Sequence, residues 1–396
     1  MDVGIVGKPN VGKSTFFGAA TMAPAEIANY PFTTVKPNVG VGHVRGVCPH
    51  IEFKVQCNPN NAPCENGVRL IPVELIDVAG LVPDAWQGKG LGNKFLDDLR
   101  QASALIHIVD ASGSTLADGT PCGIGEHDPL EDVAFLEREI DYWLFSILQK
   151  DWFKISRQCS IENQNIEKVL HERFTGLAIT EGQVSTAIRK AAPQTQPMKW
   201  SDEEVLSVCS EIRKAGKPMI IAANKCDQAP EENLERLKAL KGIMVIPTSA
   251  EYELALRKAA KASLLNYIPG SENFELVDSS KLSEPQKKAL DKIAQFLKKF
   301  GNTGVQKCLE TAIFELLDLI PVYPVEDENK LTNKEGMVLP DCHLMLKGSN
   351  AKQLAFKVHT DLGNNFIRAI DARTKRVVGH DYELKKDDVI TIIARR

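Results

Sequence analysis

This chain has no apolar run long enough to span a bilayer, which argues against an integral helical membrane protein. It has no excess of one charge. With 48 Lys and Arg against 52 Asp and Glu, the net charge of −4 gives no broad basic coat for nucleic acid. Its nine cysteines include no C-x-x-C pair, so zinc-ribbon and thioredoxin-type spacings are missing. Internal repeats and low-complexity tracts are also lacking, against a solenoid or a disordered tail. No leader is expected, since the first apolar run starts at once. The expectation is therefore a cytoplasmic protein with reduced thiols and no membrane partner, with 396 residues sufficing for two or three domains.

What is present begins at once. Val3-Gly4-Ile5-Val6 has the composition of a buried strand, and Thr15-Phe16-Phe17-Gly18-Ala19-Ala20 that of a helix's first turns. Between them Gly7-Lys8-Pro9-Asn10-Val11-Gly12-Lys13-Ser14-Thr15 reads G-x-x-x-x-G-K-S. Strand, glycine loop and helix form the context of a phosphate-binding loop. Glycines let backbone N–H groups curl around an oxyanion, and a helix N-terminus adds positive potential. Lys13 is placed to reach the terminal phosphates, and Ser14 to offer its hydroxyl to Mg2+.

Two further strings follow at strand ends. Val73-Glu74-Leu75-Ile76 leads into Asp77-Val78-Ala79-Gly80, a D-x-x-G in which Asp77 suits a magnesium-bound water and the Gly80 N–H a γ-phosphate. Pro218 to Ala223 leads into Asn224-Lys225-Cys226-Asp227. A carboxylate there accepts two hydrogen bonds from guanine N1–H and its exocyclic amine. Adenine offers no such pair and would leave Asp227 desolvated and unpaired. Asn224 can donate to the base, the Lys225 stem can cover its face, and the backbone of Ser249-Ala250-Glu251 can meet the guanine carbonyl.

Elsewhere the patterns are structural. Asn29-Tyr30-Pro31-Phe32-Thr33-Thr34 could swing a threonine onto the metal as a switch loop does, though such a loop is also ordinary. Residues 47–69 read as a loop-like insertion. Its Cys48, His50, Cys57 and Cys64 could form a zinc clip, but their spacings are unusual for zinc, and incidental thiols are the main expectation. His107, inside an apolar strand, is expected to be a core histidine. Asp128-Pro129-Leu130-Glu131 and Ser201-Asp202-Glu203-Glu204 carry helix-start signals, so 128–214 reads as a helical insertion between two strands. Helical patterns continue to 320, and Pro321-Val322-Tyr323-Pro324 reads as a break. Residues 338–396 show short β-type runs around one helix, and carry 11 Lys and Arg against 7 Asp and Glu, a local excess of +4.

The four motifs in this order resemble the translation-factor-like GTPases, and more narrowly the YchF-related archaeal and fungal branch of the Obg family. The resemblance rests also on Gly88-Lys89-Gly90-Leu91-Gly92-Asn93-Lys94-Phe95-Leu96. The C-terminal strings Lys357-Val358-His359-Thr360-Asp361-Leu362-Gly363 and Asp387-Asp388-Val389-Ile390 resemble a TGS domain. The fold implied is α/β, a P-loop NTPase G domain on a mostly parallel sheet, with a helical insertion and a C-terminal β-grasp domain. Its divisions are 1–127 and 215–270 for the G domain, 128–214 for the insertion, 271–337 for a helical linker and 338–396 for the TGS domain.

The resemblance implies GTP hydrolysis to GDP with Mg2+ held by Ser14, Thr34 and Asp77. Lys13, Thr34 and Gly80 would serve the transferred phosphoryl group. A monomer acting as a ribosome- or RNA-associated switch is expected, binding through the TGS domain. Leu81 stands where many GTPases carry a water-orienting glutamine, so another group must supply that help; Asn10 sits where some relatives help hold K+. Relatives that prefer ATP lack the aspartate retained here as Asp227. An ATPase of the same fold, and a nucleotide-gated binding module with negligible turnover, are the competing expectations.

Overall fold

A computed structural model describes residues 2–22, 38–80, 86, 92–177, 179–191, 193–194, 196–278, 280 and 282–395. Thr33, Thr34 and Leu81 lie outside them. The strands, in chain order, are β1 (Asp2–Val6), β2 (Val39–Val47), β3 (Cys64–Glu65), β4 (Val68–Asp77), β5 (Ala102–Asp110), β6 (Met219–Asn224), β7 (Met244–Pro247), β8 (Leu265–Asn266), β9 (Glu275–Leu276), β10 (Leu319–Val325), β11 (His343–Leu346), β12 (Phe366–Asp371), β13 (Arg376–Val378) and β14 (Asp388–Ala394). The described residues fall into two compact units. One takes 2–22, 38–40 and 74–308, and the other 41–73 and 309–395.

The first unit is built on the strand order β4-β1-β5-β6-β7, to which β4 contributes its residues from Glu74 on. Pairing is parallel from β4 through β7, with Val3 opposite Leu75 and Ala104, and Ile221 opposite His107 and Val245. Parallel strands covered on both faces read as continuous apolar runs, and Ala104 to Val109 and Met219 to Ala223 are such runs. His107 is the polar exception. It is buried, and burial, helped by Lys8, lowers it to about 3, so it is a neutral core residue at physiological pH. The chain leaves β1 toward neighbours on either side, so the loop after β1 opens at a point where strand order reverses. Open α/β sheets bind ligands at such points.

Between β5 and β6 come the helices Pro129–Gln149, Trp152–Ile161, Ile166–Phe174, Glu181–Ala191 and Asp202–Gly216. The Asp128 side chain accepts from the Leu130 N–H, and Ser201 forms a capping box with Glu204. Leu136, Ile140, Trp143 and Leu144 bury one face of the first against Val205, Val208 and Ile212 of the last, in a core that includes Val6 and Leu105. The helix Glu284–Phe300 packs Leu290, Ile293 and Leu297 against Leu256 and Leu265.

The second unit contains a five-stranded mixed sheet of order β11-β10-β14-β12-β13. Its core joins Val322, Met345, Leu354, Ala369 and Ile390, with the helix Ala351–Val358 started by an Asn350–Gln353 capping box. The sequence reading placed a linker over 271–337 and a break at Pro321. In the structure β10 contains that proline and lies between β11 and β14. Proline removes only a donor; the Pro321 carbonyl still accepts from Asp387 N–H at 2.8 Å. This sheet therefore begins nearly twenty residues before the expected boundary at 338.

Candidate functional site: a phosphate and base cleft

The cleft lies in the first unit and measures about 1050 Å³. Along one side it is lined by Lys8, Pro9, Asn10, Gly12, Lys13, Ser14, Thr15 and Gly80. Ser114, Asn224, Lys225, Asp227, Gln228, Ser249 and Glu251 complete it. Gly7, Val11, Asp77 and Ala250 stand in direct sequence or hydrogen-bond contact with these residues without lining it.

The phosphate loop has the backbone its residue types allow. Asn10 and Gly12 both adopt positive φ, 63° and 91°. A Cβ on Gly12 would stand 2.4 Å from the Asn224 Nδ2, and one on Gly7 2.7 Å from the Ile108 carbonyl. Both positions thus need glycine, one for conformation and space, the other for space alone. The helix Lys13–Thr21 starts at Gly12 with no side-chain cap and no acid in its first turn. Its leading N–H groups and dipole therefore face the cleft without a competing anion, which suits a phosphate. Lys13 Nζ forms an ion pair with Asp77 at the end of β4. That pair places a cation and a carboxylate side by side at the mouth of the phosphate loop, and Ser14 next to Lys13 in the chain is exposed. The residues present fit a Mg2+-nucleotide.

Lys8 lines the cleft as part of the loop, but its ammonium is buried and donates to the Thr115 carbonyl and to Asp132, each at 2.8 Å, so the side chain is spent on a structural ion pair. His127 Nε2 contacts the same Asp132 oxygen at 2.8 Å. Asn10 donates from Nδ2 to the Gly119 carbonyl at 2.9 Å, which fixes the loop against the 115–121 segment.

On the base side Asn224 acts as a brace. Its Nδ2 donates to the Val11 carbonyl at 2.8 Å, and its Oδ1 accepts from the Ala250 N–H at 3.0 Å. One amide thus joins the phosphate loop to the segment after β7. The Ala250 N–H expected for the guanine carbonyl is engaged there, and the Ser249 N–H is bound to Thr303 O at 2.9 Å. Lys225, at φ 57°, sends its ammonium to Asp110 Oδ2 at 2.8 Å. Asp227 is half-buried, and Gln228 Nε2 reaches its Oδ2 at 3.2 Å.

Asp110 was not singled out from the sequence. It is fully buried at the end of β5 and accepts from Ser112 N and Oγ, Ser114 Oγ, Thr115 Oγ1 and Lys225 Nζ, at 2.5–3.1 Å. Burial alone would raise its carboxyl. The bonds from Lys225, Ser112 and Ser114 outweigh that and hold it below the usual carboxylate range. Its ionised form fixes the Lys225 stem beside the cleft. The signal in the sequence was an acid at a strand end followed by three hydroxyl residues within five positions.

A phosphate loop and a base motif on a parallel sheet define a P-loop GTP-binding protein of the G-domain class. Comparison with known proteins agrees. The family described as 50S ribosome-binding GTPase matches residues 2–141, the G4 motif-containing domain of the Obg-like YGR210-like GTPases matches 222–327, and the TGS domain matches 332–394. An uncharacterized GTP-binding protein of Methanocaldococcus jannaschii is 55% identical, covering 99% of this chain and 98% of its own. The crystal structure of a GTP binding protein from Pyrococcus horikoshii is 45% identical over 100% of both chains, with a TM-score of 0.78. The ribosome-binding ATPase YchF of Bacillus subtilis is 28% identical over 93% of this chain and 87% of its own. The chain belongs to the Obg-like/YchF GTPase family and is a GTP-binding, YchF-like protein with a TGS domain. No described helix is long and apolar enough to cross a membrane.

Proposed function

We propose that this protein hydrolyses GTP to GDP and phosphate with Mg2+, and that the cycle switches its association with the ribosome. The observation that carries the nucleotide choice is the half-buried Asp227 carboxylate in the cleft, on a turn held by Lys225–Asp110 and by the Asn224 brace. There it would accept two donors from guanine, and adenine would strand it. Lys13 would bind the β- and γ-phosphates and release Asp77, while Ser14 and Thr34 would hold the metal. The Gly80 backbone lines the cleft where a γ-phosphate would be sensed. Bound Mg2+ supplies charge neutralisation across the phosphates. Titrating the protein with GTP and ATP tests this; ATP binding as tight as GTP would overturn it.

Leu81 brings no polar group to orient water, so the charge that hydrolysis needs must come from elsewhere. Asn10 already donates through Nδ2, which leaves its Oδ1 as the amide's acceptor. That supports a K+ ion at the phosphate loop as the source. A loop-shaping role is the second reading, favoured by the φ of 63° at Asn10.

Support for ribosome association comes from the YchF relatives, which are ribosome-binding ATPases, and from the surface of the second unit. Lys352, Lys357, Arg368 and Arg376 are exposed there, and so are Phe356, Ile367 and Val377. Exposed cations and aromatic side chains are the groups that meet an RNA-rich surface. Deleting 338–396 would strip the neighbours from β10, so charge reversal is the cleaner test. The variant carrying Lys352→Glu, Lys357→Glu, Arg368→Glu and Arg376→Glu should lose salt-sensitive ribosome co-sedimentation and keep GTP binding. Unchanged co-sedimentation would leave the domain as a packing module.

A further inference from the structure

We propose that Cys48, His50, Cys57 and Cys64 form a Zn2+ site that staples the 48–67 segment of the second unit. The ligating atoms of all four lie within 4.8 Å of one another. The His50 Nδ1 is 3.3 Å from Cys57 Sγ and 3.6 Å from Cys64 Sγ. With Zn–S near 2.3 Å and Zn–N near 2.0–2.1 Å, a tetrahedral site has S···N edges of about 3.5–3.6 Å and S···S edges of about 3.8 Å. The two S···N separations are thus close to the edges of a coordination tetrahedron, and the remaining ligand atoms stay within 4.8 Å. A single thiol–imidazole hydrogen bond explains one short contact. It does not explain two thiols converging on one ring nitrogen with a third alongside. Three thiolates and an imidazole are a soft set that selects zinc over magnesium or calcium.

The charge balance points the same way. Arg69 is fully buried, and its Nη1 stands 3.7 Å from Cys48 Sγ. Its other terminal nitrogen donates to the Leu339 and Pro340 carbonyls, and its Nε has no partner. Among the described residues no carboxylate pairs with it. A buried cation without an anion is costly. Zn2+ with three thiolates and a neutral histidine carries a net charge of −1, which gives Arg69 its counter-charge from the second shell.

The segment also needs a staple. From Lys54 to Pro63 no helix or strand forms, and only Cys57 and Ala62 are buried there. Its ends are set by backbone bonds. Cys48 N–H donates to Gly67 O at 2.9 Å, and Leu70 N–H to Pro63 O at 2.7 Å. Asn66 and Gly67, at φ 48° and 85°, turn the β3–β4 hairpin that carries Cys64. Farther along, Asn58 and Asn60 N–H groups donate to the Val338 and Pro340 carbonyls, each at 2.8 Å. A metal bound at the four ligands would hold this irregular stretch against the strand-preceding segment 338–342 in place of an apolar core.

The test uses the full chain. Zinc content is measured on protein purified without chelator, and metal-free protein is titrated with Zn2+ and with Co2+. One equivalent is expected, with tetrahedral d–d bands and thiolate-to-cobalt charge transfer, and chelation should lower Tm. Cys57→Ser with Cys64→Ser should lose the equivalent, and Cys122→Ser should keep it. If the double variant fails to fold, Cys64→Ser alone should give a Co2+ spectrum with weaker thiolate charge transfer. No bound metal and no charge-transfer band in the wild type, or equal stoichiometry in a folded double variant, would overturn the site.

Discussion

The nucleotide cleft and the cysteine–histidine cluster are both small polar sites, yet they are written into the chain differently. The phosphate loop is nine contiguous residues whose spacing follows from one local turn between a strand and a helix. Its ligands are largely backbone N–H groups, so the pattern records conformation more than side chains. The four thiol and imidazole ligands come from the end of β2, a short helix, an irregular stretch and a hairpin. Their spacings of nine and seven match no simple zinc signature, because a tetrahedron fixes distances in space and leaves sequence separation free. A contiguous motif can be read from spacing; a site closed by tertiary folding cannot.

The sharpest break of the two sites from each other is Lys13→Ala. It should lower GTP affinity at least about a hundredfold, since it removes the charge-assisted partner of the phosphates, and leave zinc content unchanged. Calorimetry with GTP and elemental analysis of the same sample check both halves. Next is Asp227→Asn. Losing a charged acceptor of two hydrogen bonds should cost about 3 kcal/mol, or roughly a hundredfold in GTP affinity, while xanthosine triphosphate gains. Competition binding with the two nucleotides reads that exchange.

Removing the metal is the reciprocal experiment. The Cys57→Ser and Cys64→Ser variant should unfold at lower temperature and bind GTP within about twofold of the wild type, because ligation energy is local folding energy. Calorimetric unfolding with and without chelator measures it. A smaller effect is expected from cation exchange. K+ should raise GTP turnover about tenfold over Na+ at equal ionic strength, and Asn10→Ala should erase the difference. Equal rates would return Asn10 to its loop-shaping role.

The remaining contrast concerns acid, and it touches stability rather than the nucleotide. His107 titrates near 3 in the fold against 6.5 unfolded, so the unfolded chain takes up a proton the folded chain refuses. The stability this residue allows is intact above about pH 6.5. It is lost as pH falls toward 3, by up to about 1.4 kcal/mol per pH unit. His107→Leu should flatten the denaturation midpoint against pH in that window. The same slope in both proteins would assign acid sensitivity to the buried carboxylates.

Much of the fold was legible. The apolar runs at β1, β5 and β6 announce a doubly covered parallel sheet, and the capping signals at Asp128 and Ser201 start helices as read. The failures have physical causes. Pro321 and Pro324 read as a break because proline cannot donate, although its carbonyl still accepts, and β10 uses it so. Lys8 carries no sign in the sequence of its partner, because the buried Asp132 that pairs with it arrives from a helix over a hundred residues later. Asp110 left a local trace in the three hydroxyl residues that follow it, but only the fold brings Lys225 onto it.

By itself the sequence determined that this chain makes a phosphate loop, a guanine-type base motif and a parallel sheet to present them, because each depends on local backbone geometry or strand burial. Only the tertiary structure decided which cations are free for a ligand and which are spent on buried carboxylates. It also decided that Asn224 ties the two loops together and that four scattered ligands meet beside Arg69. Those outcomes depend on distances between residues far apart in the chain, and a distance of 3 Å across a folded core leaves no periodic trace along it.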